Sequence, residues 1–287
     1  MFNQLFFTTG PATLVPPSYI NFFEQPPGIM EGVKLIQVNE DHRLFLRGEF
    51  GGFRIYMLVT HPIVEIIPDT VKLISDTHFI ASLKLELSPG VMSEHKVIFR
   101  APILPFYNVR ATEYGIFPDA FEFKLPLDRI ERFPCNLNFL QEFAENSPVI
   151  PLCVRYVGIV KSKQREAHDR LGKGHEKLQM LLAEQTQRLS RQTTSIVLYR
   201  PSELIPPLLS FPDVIEIIEA TMISYFQSSP LNIRRLNFPS DSPELCSKIS
   251  SLKVKNVFTR VTAPKNTFLY SKKAQSKIEH DIKIFIP

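Results

Sequence analysis

Between residue 31 and about residue 100, apolar and polar side chains alternate over short stretches, the period of two that a half-buried strand requires. Stretches 33–38, 44–46, 54–59, 71–74, 79–87 and 95–99 carry the pattern, punctuated by Gly51-Gly52, Pro68, Pro89-Gly90 and Pro102. Gly51-Gly52 between two such runs predicts a hairpin. Many short strands broken by Pro and Gly predict an antiparallel sheet or small barrel. Residues 121–125 alternate in the same way, and 137–144 read as a short helix. The polar turn Glu145-Asn146-Ser147-Pro148 then precedes an apolar run at 149–160 that reads as a buried strand. Leu178, Leu181, Leu182, Gln185 and Leu189 fall at helical spacing and predict a helix over 175–189. Residues 195–199 are a strand, and Ile215, Ile218, Met222, Ile223 and Phe226 form the stripe of a second helix over 214–227, stopped by Pro230. Further strands follow at 254–260 and 282–286. The order predicts an α+β protein: a β-rich domain over 1–147, then a small α/β domain with a C-terminal β extension over 148–287.

A chain of 287 residues accommodates two domains, and 44% apolar residues suffice for a buried core. The longest apolar runs, such as 206–211, stop short of the roughly 18–20 residues that cross a bilayer. Residues 1–10 lack a positive leader, so neither a membrane span nor a signal peptide is expected. Cys135, Cys153 and Cys246 are odd in number and widely spaced, which predicts reduced thiols, a cytoplasmic setting and no Cys-x-x-Cys metal clip. The net charge of +4 hides an asymmetry: residues 1–150 hold 12 Lys and Arg against 17 Asp and Glu, while residues 151–287 hold 21 against 12. The basic half suits a polyanion, and the acidic half suits a protein partner or a second copy of the chain.

Candidate chemistry lies in the basic half. Tyr156-Val157-Gly158 ends the apolar strand, Arg170 and His175 follow, Glu219 lies at the edge of the second helix's stripe, and Pro230-Leu231-Asn232 comes after that helix. Over about residues 149–240 this ordered set resembles the second half of the GIY-YIG nuclease pattern. In that family a Tyr-Ile-Gly strand precedes a helix bearing Arg and His, and a later helix bears a metal-binding Glu. Two departures stand out. No Gly-Ile-Tyr lies at the expected distance upstream, so the tyrosine it supplies is missing or comes from elsewhere. The Arg-to-His step is also one residue longer than usual.

The resemblance implies a metal-dependent endonuclease acting on nucleic acid, DNA before RNA, with Mg2+ or Mn2+ held by Glu219. A divalent ion held by one carboxylate polarises a phosphate and steadies the leaving oxygen. Arg170 would grip the phosphate, Tyr156 or His175 would accept the water's proton, and Gly158 and Asn232 would shape the site. Lys161, Lys163, Arg165 and Lys173 are candidate phosphate contacts. The β-rich half would serve targeting, regulation or assembly, and a role in antiviral defence fits by analogy. Two further readings stay open: a binding module on a degenerate nuclease fold, and a protein-interaction module. No His-Glu-x-x-His, phosphate-binding glycine loop or serine-hydrolase elbow is present.

Overall fold

The computed structural model describes residues 4–17, 52–88, 90–101, 104–112, 120–134, 137–162, 165, 167–172, 174–187, 192–201, 209–227 and 231–287. The strands expected at 33–38 and 44–46, Gly51 of the expected hairpin, and Lys163, Lys173 and Pro230 lie outside the described residues.

Seven strands form one mixed sheet in the order β12-β9-β2-β10-β1-β11-β13. They are β1 (Gln4–Val15), β2 (Ile55–Pro62), β9 (Ile150–Ile159), β10 (Gln192–Pro201), β11 (Asn256–Thr262), β12 (Thr267–Tyr270) and β13 (Glu279–Phe285). β1–β11 and β12–β9 run parallel, and the other neighbours run antiparallel. At the ends of the row, Leu269 of β12 bridges Lys277, two residues before β13, so the sheet nearly closes into a barrel.

Between β2 and β9 the chain builds two three-stranded antiparallel sheets. One is β3 (Val64–Leu73), β4 (His78–Ser88) and β5 (Val91–Arg100); the other is β6 (Asn108–Ala111), β7 (Ala120–Lys124) and β8 (Ile130–Pro134). Phe79, Phe99, Phe121 and Phe123 meet edge-on or stacked between the two sheets. Helix α1 (Leu137–Phe143) leads back to β9.

The remaining helices are α2 (Ala167–Gly172), α3 (Glu176–Gln187), α4 (Phe211–Phe226) and α5 (Pro243–Ser251). Ser210 starts α4 with a reciprocal capping box to Asp213, and Gln227 ends it in the left-handed region at φ 42°. Nine of its side chains are buried against β9, β11 and β13. Burial on so many sides makes α4 an internal helix rather than a surface one. α2 and α3 cover the opposite face of the sheet, over Tyr56, Leu58, Ile196 and Leu198. Among the described residues no helix is long and apolar enough to cross a membrane.

The expected α+β architecture is overturned, because the protein is mainly β and has no separate small α/β nuclease domain. β1 and β2, from the half expected to be self-contained, pair with β9, β10 and β11. The strands expected as a C-terminal extension are β11 and β13 of the main sheet. Strand period reports burial on one face and says nothing of which strands pair, so the interleaving was invisible to it.

Candidate active site

β2 and β9 are antiparallel neighbours, with Tyr56 opposite Gly158 and Leu58 opposite Tyr156. The alternation that buries Ile55, Met57 and Val59 in the main core turns Tyr56 and Leu58 to the face under α2 and α3. Gly158 makes the approach of Tyr56 possible. A β-carbon there would lie 2.4 Å from Tyr56 Cζ, 2.5 Å from its hydroxyl and 2.7 Å from Tyr156 Cε1. No side chain fits, so the glycine serves close packing rather than a turn.

His175 precedes α3 and completes a ring cluster, its centroid 5.5 Å from that of Tyr56 and 5.4 Å from that of Tyr156. The Leu178 amide donates to His175 Nδ1 at 3.3 Å, which assigns the ring proton to Nε2. Nε2 then donates to Tyr56 Oη at 2.8 Å. The Tyr56 hydroxyl is in turn hydrogen-bonded to Tyr156. A directed chain thus runs from His175 through Tyr56 to Tyr156. Burial, and then Arg170, holds the imidazole down at a pKa of about 4, so it is neutral. Burial lifts both phenols above the usual tyrosine range, and Arg170 pulls against it.

Arg170, in the last turn of α2, donates from Nη1 to the main-chain oxygen of Ile159 at the end of β9. Its charge thereby sits beside both tyrosines and His175. Glu219 approaches from α4, and its charge is felt at Tyr56 and Tyr156. Burial raises its carboxyl to a pKa of about 7, against the opposing pull of Arg235, Lys161 and Arg170. Arg235 Nη1 donates to Glu219 Oε2 at 2.6 Å. One turn earlier, Glu216 is partly buried but bound by Lys161 and Arg235, which together hold its carboxyl below the usual range.

Asn232 works through the backbone. Its Oδ1 accepts from the Val157 amide and its Nδ2 donates to the Val157 carbonyl, both at 2.9 Å. β12 pairs β9 only as far as Cys153, so at Val157 the carboxamide takes the place of a neighbouring strand.

Tyr156, Gly158 and His175 therefore meet at Tyr56, and Arg170 is bonded to Ile159 at the end of β9. Glu219 acts on both tyrosines through its charge, and Asn232 braces the strand behind. Of the expected phosphate contacts, Lys161 is tied to Glu216 and Arg165 is exposed. Sequence reading missed Tyr56, Arg235 and Glu216. For Tyr56 a signal existed: Arg54-Ile55-Tyr56 is a tyrosine-bearing strand facing Tyr156-Val157-Gly158, displaced upstream by the two inserted sheets. For Arg235 and Glu216 nothing in the spacing marks the pairing.

Among the described residues no group of three or more His, Cys, Asp and Glu side chains is placed to hold a metal ion. The donor set fits a hard cation only through the single Glu219 carboxylate, with water completing the shell as Mg2+ tolerates. No family model, no curated protein and no solved structure matches this chain.

Proposed function

We propose that the protein is a metal-dependent nuclease that hydrolyses phosphodiester bonds, with DNA as the first candidate substrate. The observation that carries this reading is the meeting of Tyr56, Tyr156, His175 and Arg170 with one buried carboxylate, Glu219. The likeness to GIY-YIG nucleases lies in the order of these residues, with Arg54-Ile55-Tyr56 in the place of the first tripeptide. The basic balance of residues 151–287 suits a polyanionic substrate.

Glu219 would hold the divalent ion, which when bound supplies charge to the scissile phosphate and its leaving oxygen. Arg170 keeps further N–H groups beyond the one given to Ile159, and these stabilise charge developing on phosphate oxygens. Tyr156 accepts the water's proton: burial raises its phenol, and the charge of Arg170 and the hydrogen bond from Tyr56 pull back towards the phenolate. His175 holds Tyr56 in line, since both of its ring nitrogens are already engaged. The inserted sheets β3–β8 would serve targeting, regulation or assembly.

A second reading, a nucleic-acid-binding module without cleavage, is favoured by the ion pair that already engages Glu219. Incubation with supercoiled plasmid and with structured RNA, in Mg2+ or EDTA, decides between them. Glu219→Gln is expected to lower cleavage on the order of a thousandfold while leaving binding in place, as loss of the proposed metal ligand requires. Cleavage that persists in this variant would sink the hydrolytic reading, and binding with no cleavage by the native chain would establish the second.

A further inference from the structure

Arg235 belongs to no motif, and the chemistry above does not use it. Its guanidinium nevertheless makes three contacts at the site. Nη1 donates to Glu219 Oε2 at 2.6 Å and to the Glu216 main-chain oxygen at 3.2 Å, and Nη2 donates to Glu216 Oε1 at 3.2 Å. Glu216 and Glu219 are three positions apart on α4 and so project from neighbouring places on the helix. One planar fork spans both carboxylates, a geometry that lysine cannot reproduce.

The surroundings hold this fork in place. Arg235 itself has a left-handed backbone, φ 63°, which residues with a β-carbon adopt only under constraint. Asn232, three residues earlier, is pinned to Val157 by two hydrogen bonds. Side-chain exposure is 21% for Arg235, 18% for Glu216 and 15% for Glu219, so the cluster is largely shielded from water. Two bare carboxylates at such depth would be costly, and a cation between them relieves that cost. Glu219 Oε1, by contrast, has no hydrogen-bond partner among the described residues.

We propose that Arg235 is a built-in counter-cation that fills the gap between Glu216 and Glu219 and keeps a divalent ion from being held there by both carboxylates. Glu219 then offers a metal only its Oε1, while Glu216 Oε1 is taken up by Arg235 and Lys161. Arg235 is a positioning residue in this scheme, and the inference rests on the reading of Glu219 as the metal-binding carboxylate. Removing the guanidinium frees Glu219 Oε2 and leaves Glu216 held by Lys161 alone, so both carboxylates can turn to one ion, and affinity for a hard cation rises with ligand charge.

The test is a Mn2+ titration of the full chain without nucleic acid, followed by the paramagnetic resonance of free Mn2+. Arg235→Met is expected to bind Mn2+ about tenfold or more tightly than the native chain, by the same dependence on ligand charge. Adding Glu216→Gln to that variant should abolish the gain. Native-like binding by a folded Arg235→Met, including no binding by either protein, overturns the proposal. If Arg235→Met loses its cooperative melt, Arg235→Lys replaces it, because a point charge cannot bridge both acids. A smaller gain is then expected, and a folded Arg235→Lys with native affinity is equally fatal. Plasmid cleavage separates the two ideas. A Mn2+ gain beside an inactive native protein sinks only the nuclease reading, whereas cleavage without a Mn2+ gain sinks only the role of Arg235.

Discussion

Single side chains set the site through packing as much as through charge. Tyr56 lies over Gly158, where any β-carbon would collide with its ring, and that contact aims its hydroxyl between His175 and Tyr156. A second buried histidine, His61, is held neutral in a different way. Its Nδ1 donates to the Pro62 carbonyl at 2.9 Å, and its Nε2 accepts from the Ser195 hydroxyl at 2.8 Å. Burial lowers its pKa from 6.5 to about 4. Below pH 6.5 the unfolded chain takes up a proton that the folded chain refuses. Stability is therefore full above that pH, falls as the pH drops towards 4, and levels off below it. The loss amounts to about 3 kcal/mol, at about 1.4 kcal/mol per pH unit. Urea unfolding at pH 7, 5.5 and 4.5 should show a smaller loss in His61→Gln than in the native chain, the remainder coming from groups such as His175; parallel pH profiles would refute it. In the sequence His61 is only one histidine beside a proline, and neither its burial nor its serine partner is encoded nearby.

At the scale of elements, β9 is the pivot. One edge pairs with β2, and the other is covered by β12 as far as Cys153 and by the Asn232 side chain at Val157. Asn232→Leu leaves a buried amide and carbonyl without partners, an expected cost of about 3 kcal/mol. The neighbouring Ile233 is 79% exposed, and Ile233→Ala should change stability by less than about 0.5 kcal/mol. Denaturant unfolding of the two variants, with hydrogen exchange at the Val157 amide, checks both. Equal stabilities, or an undisturbed Val157 amide in Asn232→Leu, would remove the carboxamide's role as a strand substitute. Helix α4 was legible from its stripe of Ile215, Ile218, Met222, Ile223 and Phe226, because helical period and apolar content agree there. α5 and β12 went unread, since short amphipathic segments carry little periodic signal.

For the whole molecule, one apolar core takes in residues on both sides of the turn at 145–148. Phe79, Phe99 and Phe121 of the inserted sheets share one continuous cluster with Val59 of β2 and Ile218 of α4. The inserted sheets should therefore melt with the seven-stranded sheet in a single calorimetric transition, with matching calorimetric and van't Hoff enthalpies. Two resolved transitions would show that the insertion is a separate cooperative unit. By itself the sequence determined where most described strands and the long buried helix lie, how charge divides along the chain, and the order of Tyr156, Arg170, His175, Glu219 and Asn232. Those properties are local, fixed by side-chain period and residue type. Only the tertiary structure decided that β1 and β2 complete a sheet with β9–β13, that Tyr56 faces Gly158, and that Arg235 stands between two glutamates. Strand pairing and ion pairing depend on residues far apart in the chain, and periodicity holds no record of such partners.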